Sequence, residues 1–194
     1  MGYAQQNEDD KVLELFGSHV GRFLDIGAHD GAYLSNTLAL VERGWSGVLV
    51  EANPATFARL YERHGMNPKL TLINAAAGMD WKFTKFWPAT KDDGLSTTEA
   101  AQRESREAEA VYGEPYQVAM FPVSKLEEYG PFDFVSIGTE GTSVDLLFSL
   151  RWVLPKVICV EHDGRIQNCI DWAVFQGYRL VHQNSINLIF EKRP

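Results

Sequence analysis

Short apolar runs that alternate with helix-length segments constrain this chain more than any other feature. A first strand ends near Asp25 and is followed by Leu34, Leu38, Val41 and Trp45 at helical spacing, with Gly44 as a stop. Gly47 to Glu51 (GVLVE) reads as a second strand. Pro54 then opens a helix with Phe57, Leu60, Tyr61 and His64 on one face, closed by Gly65. Leu70 to Asn74 (LTLIN), Phe132 to Ile137 (FDFVSI) and Lys156 to Glu161 (KVICVE) are three further strands. Helices follow the last two, over roughly residues 144–152 and through Ile166, Ile170, Ala173 and Val174. Strands fully apolar and separated by helices predict a parallel sheet covered on both faces. The closing YRLVHQNSINLIFEK reads as two strands joined at Gln183 to Ser185, a turn too short for a parallel crossover. The expectation is an α/β fold, a mostly parallel doubly wound sheet with a C-terminal antiparallel hairpin.

Two segments fit around that frame. Lys11 to Phe16 predicts a short helix, preceded by the acids Glu8, Asp9 and Asp10. Residues 78–122 break the alternation, with an aromatic stretch WKFTKFW and then the polar run TTEAAQRESREAEA from Thr97 to Ala110. Glu99/Arg103 and Arg103/Glu107 stand four apart, which predicts a helix polar all round. Either a solvated excursion or a lid over a site accounts for about 90–115. Trp81, Phe83, Phe86 and Trp87 fit core or sheet-edge packing better than a sugar-stacking platform. One domain over residues 1–194, with that inserted segment, suits the length.

The first strand runs into FLDIGAHDG, two glycines separated by three residues, and the question is what such a turn holds. A dinucleotide fingerprint needs G-x-G-x-x-G, and His29 stands where its second glycine belongs. Asp25 and Asp30 flank the turn and Glu51 closes the next strand, so a pyrophosphate would meet three carboxylates and no Lys or Arg. That argues against a nicotinamide-dependent oxidoreductase. S-adenosylmethionine carries no phosphate and has a sulfonium and an ammonium, which suit an acidic turn. An acid at the carboxyl end of the second strand accepts ribose hydroxyls, although Glu51 alone would also suit the N-terminus of the following helix.

Charge and composition narrow the partners. The net charge of −8 and the lack of any long basic cluster argue against nucleic acid. No apolar run approaches the roughly 20 residues of a membrane span, and MGYAQQNEDDK does not read as a secretory signal. Cys159 and Cys169 are too few for a disulfide framework, sit in apolar contexts and predict inert core thiols in a reducing, cytoplasmic setting.

YAQQNEDDKVLELF, FLDIGAHDGAYLSNTLALVERGWSGVLVEANP, FDFVSIGTEGTSVDLL and GYRLVHQNSINLIF, in that order, resemble the FkbM-type methyltransferases. The resemblance covers most of the chain and is weakest over 78–122. It implies a class I methyltransferase (Rossmann-like) fold and methyl transfer from S-adenosylmethionine to a hydroxyl of a sugar or small natural product. It also assigns residues. Asp25, Gly27, Ala28, His29, Asp30 and Gly31 would cradle the methionine part, with Glu51, Ala52 and Asn53 at the ribose. Asn74, Ala75 and Ala76 would lie near adenine, and Ser35, Asn36 and Thr37 would line the pocket from the first helix.

An alcohol is a weak nucleophile, so a base or a metal must help remove its proton. The candidates for that chemistry are Glu140 after the fourth strand and Glu161 and His162 after the fifth. The family pattern near Ser136 is close to S-I-D-x-E-G-x-E, so Gly138 stands where an aspartate is expected and Ser143 where a glutamate is usual. A divalent ion is therefore a second candidate cofactor that Gly138 argues against, and no metal ligands are assigned. The same glycine leaves open a non-catalytic cofactor-binding or scaffold protein, or a substrate that needs close backbone approach.

Overall fold

A computed structural model describes residues 2–106, 108–150 and 154–193. The chain opens with α1 (Glu8–Phe16), β1 (Arg22–Ile26), α2 (Leu38–Glu42), β2 (Ser46–Glu51), α3 (Pro54–His64) and β3 (Leu70–Asn74). The middle holds β4 (Ala76–Gly78), β5 (Lys82–Phe86), α4 (Ala100–Ser105) and β6 (Tyr116–Pro122). It closes with β7 (Phe134–Ile137), α5 (Ser143–Ser149), β8 (Val157–Glu161), α6 (Ile166–Phe175), β9 (Tyr178–Gln183) and β10 (Asn187–Lys192).

Seven strands form the main sheet in the order β3-β2-β1-β7-β8-β10-β9. Every pairing from β3 to β8 is parallel, while β10 runs antiparallel between β8 and β9. The fold is thus the expected doubly wound α/β sheet with its C-terminal hairpin. Successive side chains of a strand point to opposite faces, and both faces here are apolar. Leu24, Ile26, Val135, Ile137, Ile158 and Val160 pack with α5 and α6 on one face. Phe23, Leu49, Phe134, Val157 and Cys159 pack with Val12 and Phe16 of α1, Leu40 of α2 and Leu60 of α3 on the other. Chain order reverses between β1 and β7, and ligand clefts in such sheets open at the carboxyl ends of the strands at that point. Among the described residues no helix is long and apolar enough to cross a membrane.

Three local expectations are corrected. The helix after β1 is confined to Leu38–Glu42, and Leu34 is exposed with a left-handed φ of 51°. Residues 28–37 are a series of turns: Asp30 Oδ1 accepts from the amides of Ala32 and Tyr33, and Ser35 Oγ accepts from those of Thr37 and Leu38. A side chain that satisfies nearby amides competes with the helix. The acids Glu8, Asp9 and Asp10 lie in the first turn of α1 instead of preceding it. The excursion is a second sheet as well as a polar segment: β6 pairs in parallel with β4 and antiparallel with β5. The polar helix is α4, with no buried residue. Glu107, half of one expected ion pair, and Trp152, at the end of the helix expected after the fourth strand, lie outside the described residues.

Candidate active site

A cleft of about 250 Å³ opens at the carboxyl ends of β1, β2, β7 and β8, and residues of the excursion cover part of it. The turn after β1 sets its floor. Gly27 has a φ of 86°, and a Cβ there would stand 1.8 Å from the carbonyl oxygen of Gly138, so no side chain fits. The amides of Gly27 and Ala28 both donate to Val50 O, at 2.9 and 3.0 Å. That holds the turn against the end of β2. Gly31, with a φ of 73°, lies against Leu60 and His64 of α3 and serves packing instead of lining the cleft.

Glu51, nearly buried, ends β2 at the cleft. The His29 amide donates to its Oε2 at 3.0 Å and the Asn53 amide to its Oε1 at 2.7 Å. Burial raises the carboxyl above its ordinary pKa, and these amides pull against the rise. Each oxygen keeps a second lone pair. Asp25, on β1, is 4 % exposed and accepts from Thr37 Oγ1 at 2.6 Å. Burial pushes its pKa up to about 6 against hydrogen bonds from Thr37 and Ser136. Asn36 donates to Ser136 Oγ at 3.2 Å, bridging the turn to β7.

The acids at the other end behave as a group. Glu140, at a left-handed φ of 46°, lies 3.0 Å from Arg106 and accepts from Gln102 at 3.3 Å. The same guanidinium is 3.8 Å from Glu161 at the end of β8. Burial, with Glu140 and Asp163 adding to it, pushes the Glu161 carboxyl up to about 8, against Arg106. Burial raises Glu140 too. Asp163 is spoken for by the amides of Gly141 and Ser143, each at 3.1 Å. A Cβ added at Gly138 would meet only Glu161 Oε2, at 4.0 Å. The backbone there does not require glycine, so close packing is not the reason for it.

Of the residues expected from sequence, Asp25, Gly27, Ala28, His29, Asn36, Glu51, Ala52, Ala75, Ala76, Glu140 and Glu161 line the cleft. Others stand behind it. Asp30 ties the turn, Thr37 props Asp25, and Asn53 caps α3 through the Ala55 amide. Asn74 donates to the Glu51 carbonyl at 2.8 Å. His162 faces a separate depression beside Gln102 and Ser185. Its Nδ1 accepts from the Gly164 amide at 3.0 Å, so the proton of the neutral ring sits on Nε2.

Sequence reasoning missed Asp93 and Arg106 and read Phe86 as packing; all three lie in the excursion and line the cleft. Asp93 accepts from His29 Nε2 at 2.8 Å, from Thr56 Oγ1 at 3.1 Å and from the Arg59 guanidinium. Burial opposes ionisation, but Arg59 and His29 outweigh it and bring the Asp93 pKa down to about 2. The aromatic stretch and a common i,i+4 arithmetic marked this segment, and neither carries a signal for contacts across the fold. Trp81 and Phe83 are largely exposed, Phe83 on the edge strand of the second sheet, so the sheet-edge form of the expectation holds there and the core form does not, whereas Phe86 is buried at the cleft. Cys159 and Cys169 are unpaired and buried, as expected.

Gly138 has no side chain, His162 faces away with Nδ1 engaged, and Arg106 lies against the two carboxylates. Among the described residues no three His, Cys, Asp or Glu side chains converge on one point as metal ligands would. The residues do not fit a divalent ion.

No curated protein matches the chain. Solved structures do. The FkbM methyltransferase of Methylobacillus flagellatus KT superposes with a TM-score of 0.57 at 12% identity, over 89% of this chain and 43% of that one. The chain therefore spans less than half the length of that protein. The precorrin-6y C5,15-methyltransferase of Geobacter metallireducens GS-15 gives 0.54 at 12% identity over 97% and 88%. The ribosomal protein L11 methylase of Lactobacillus delbrueckii subsp. bulgaricus gives 0.53 at 11% over 97% and 79%. At such identities the likeness shows the class I methyltransferase fold alone. A family model, the methyltransferase FkbM domain, matches residues 25–180. The chain belongs to the FkbM family of S-adenosylmethionine-dependent methyltransferases.

Proposed function

We propose that this protein transfers a methyl group from S-adenosylmethionine to a hydroxyl oxygen of a sugar or small natural product. Bound S-adenosylmethionine supplies an electrophilic methyl group on a sulfonium. Asp25, the turn from Gly27 to His29 and Glu51 form the end of the cleft that would hold it, and the donor set fits. Glu51 offers one free lone pair on each oxygen to a vicinal diol, and the carboxylates complement a cation. Ala75, Ala76 and Phe86 offer an apolar wall to a base.

The observation that carries the reading is the state of Glu161. It is a buried carboxylate at the cleft, raised to about 8, with open room beside its Oε2 over Gly138. A base works best with a pKa near the working pH. Glu161 would take the proton of the acceptor hydroxyl as the oxygen attacks. Glu140 and Arg106 set its charge, and Arg106 would offset the negative charge that gathers at the reacting oxygen. His162 would act only by supporting the loop after β8. Alignment of two bound reactants supplies much of the remaining acceleration. Two buried, unpaired thiols fit a reducing, cytoplasmic location.

Calorimetry with S-adenosylhomocysteine, followed by turnover of the parent and Glu161→Gln, tests this. The expectation is equal cofactor affinity in both and a loss of at least 100-fold in kcat for the variant. Equal turnover would remove Glu161 from the chemistry. A second reading, a cofactor-binding scaffold, draws on the side-chain space left unfilled at Gly138. Tight binding without methyl transfer to any acceptor would favour it.

A further inference from the structure

The second sheet stops at an unpaired strand. Among the described residues β5 pairs with β6 and with no other strand, so its outer side presents backbone donors and acceptors with nothing to bond. The residue after the strand tells which ones. The Trp87 amide donates to Thr97 O at 2.9 Å, and the Thr97 amide donates to Trp87 O at 3.2 Å. β6 occupies one side of this line, so Thr97 takes the other. In an antiparallel ladder a residue turns both groups to the same neighbour, and successive residues alternate. Lys85 and Phe83 therefore turn theirs outward as Trp87 does, while Thr84 and Phe86 bond to β6.

The same alternation sorts the side chains. Trp81, just before the strand, shares a face with Phe83 and Lys85. Trp81 is 69 % exposed and Phe83 76 %. Their face continues on β6 through Gln117 and Ala119, both exposed, so it stands open. Two large rings on an open sheet edge call for a partner.

We propose that β5 pairs antiparallel with β5 of a second copy of this chain, across a two-fold axis at Phe83, joining the two small sheets edge to edge. This is the register in which the outward backbone groups meet: Phe83 exchanges bonds with Phe83 of the copy, and Lys85 with Trp81. Side chains directly opposite stand about 4.5–5.5 Å apart. Ring therefore meets ring at the axis, and on either side of it the Lys85 ammonium lies against the copy's Trp81. Lysines on an edge strand commonly deter pairing. Here Lys82 falls opposite Thr84, so neither lysine meets a like charge directly opposite. The strand is complementary to itself, as an isologous dimer requires. An acidic peptide would answer the lysines but leave Trp81 without its cation.

The two rings would bury on the order of 300–500 Å² per protomer, below the roughly 800 Å² per partner of a standard interface. The dimer is therefore weak, with dissociation in the micromolar range. It needs nothing from the cleft and does not rest on the methyl-transfer reading.

Sedimentation equilibrium of the full chain, from about 1 to 500 μM, brackets that range. The parent should show a monomer–dimer equilibrium. Phe83→Glu and Phe83→Lys each set like charges opposite one another at the axis and should weaken the dimer at least about tenfold. Their melting temperatures should match the parent's, since the side chain is exposed. An equimolar mixture of the two variants should dimerise again, because the charges at the axis are then opposite. A parent that is monomeric throughout, or that grows beyond a dimer, would overturn the pairing. Variants that dimerise like the parent would overturn this surface, and a mixture that stays monomeric would overturn the register. A monomeric parent that binds an alternating Glu-Val peptide, and loses it in Phe83→Glu, would give the edge to an acidic segment and overturn the dimer.

Discussion

Gly27 and Gly138 meet backbone to backbone: a Cβ on the first would lie 1.8 Å from the carbonyl oxygen of the second. The contact joins the ends of β1 and β7, the two strands between which the sheet reverses its order. It also makes the two glycines unequal, which gives a first prediction.

Gly27→Ala adds a methyl group into that carbonyl at a φ of 86°, which alanine rarely adopts. We expect a loss of about 2–4 kcal/mol in stability, read by denaturant melts, together with loss of cofactor binding. Gly138→Ala meets only the tip of Glu161 and should cost less than about 1 kcal/mol. Equal losses in the two variants would contradict the geometry.

Glu51→Ala removes the acceptor for the amides of His29 and Asn53 as well as the proposed diol contact. S-adenosylhomocysteine should bind it more weakly by about 1–3 kcal/mol. Glu51→Gln keeps one carbonyl acceptor and should fall between that variant and the parent. Calorimetry that gives unchanged affinity in both would place the ribose elsewhere.

Stability should depend on pH through Glu161. Its folded pKa, about 8, lies above the ordinary carboxylate value of 4.5. The folded state therefore binds the proton more tightly than the unfolded chain does. The stabilisation from this group is complete below about pH 4.5 and is lost as pH rises towards 8. Asp25 contributes in the same direction over a narrower window, up to about 6. Melting temperatures of Glu161→Gln should therefore decline less between pH 5 and 8 than those of the parent. Parallel curves would show that Glu161 is not raised.

Asp93 fastens the excursion to the turn after β1 and to α3 through His29, Thr56 and Arg59. Asp93→Ala should loosen residues 90–115 and speed their cleavage by trypsin about tenfold or more, with little change in global melting. We also expect S-adenosylhomocysteine to protect the same segment in the parent, as a lid over the cleft would require. Identical cleavage patterns in variant and parent would show that Asp93 is not the fastening.

The main sheet was legible because its strands are uniformly apolar and end in residues with chemistry to do. Asp25, Glu51 and Glu161 all stand at or next to a strand's carboxyl end, where the sheet delivers them to one cleft. Leu34 misled because an apolar residue at helical spacing says nothing about the local amides that Asp30 and Ser35 capture. The second sheet hid because β4 has three residues, and β5 exposes Phe83 while burying Phe86, so neither shows a usable period. Asp93 and Arg106 were invisible for another reason: the partners that hold them at the cleft lie 34 to 64 residues away from Asp93 and 34 and 55 away from Arg106, by number from residues 29, 59, 140 and 161. Gln5, which also lines the cleft, carried no signal of its own, since its place there depends on the bonds of Glu8 to Asn184 and Asn187 at the other end of the chain.

The bond between Glu8 and Asn187 joins positions 179 residues apart. During synthesis the carboxylate of Glu8 emerges early and waits for almost the whole chain before its partner exists. Until β10 slides between β8 and β9, the stretch before α1 has nothing to hold it. Closing so long a loop comes late in folding. A nascent or misassembled chain can thus carry a formed glycine turn and still leave one side of the cleft undone, so the cleft is complete only with the sheet.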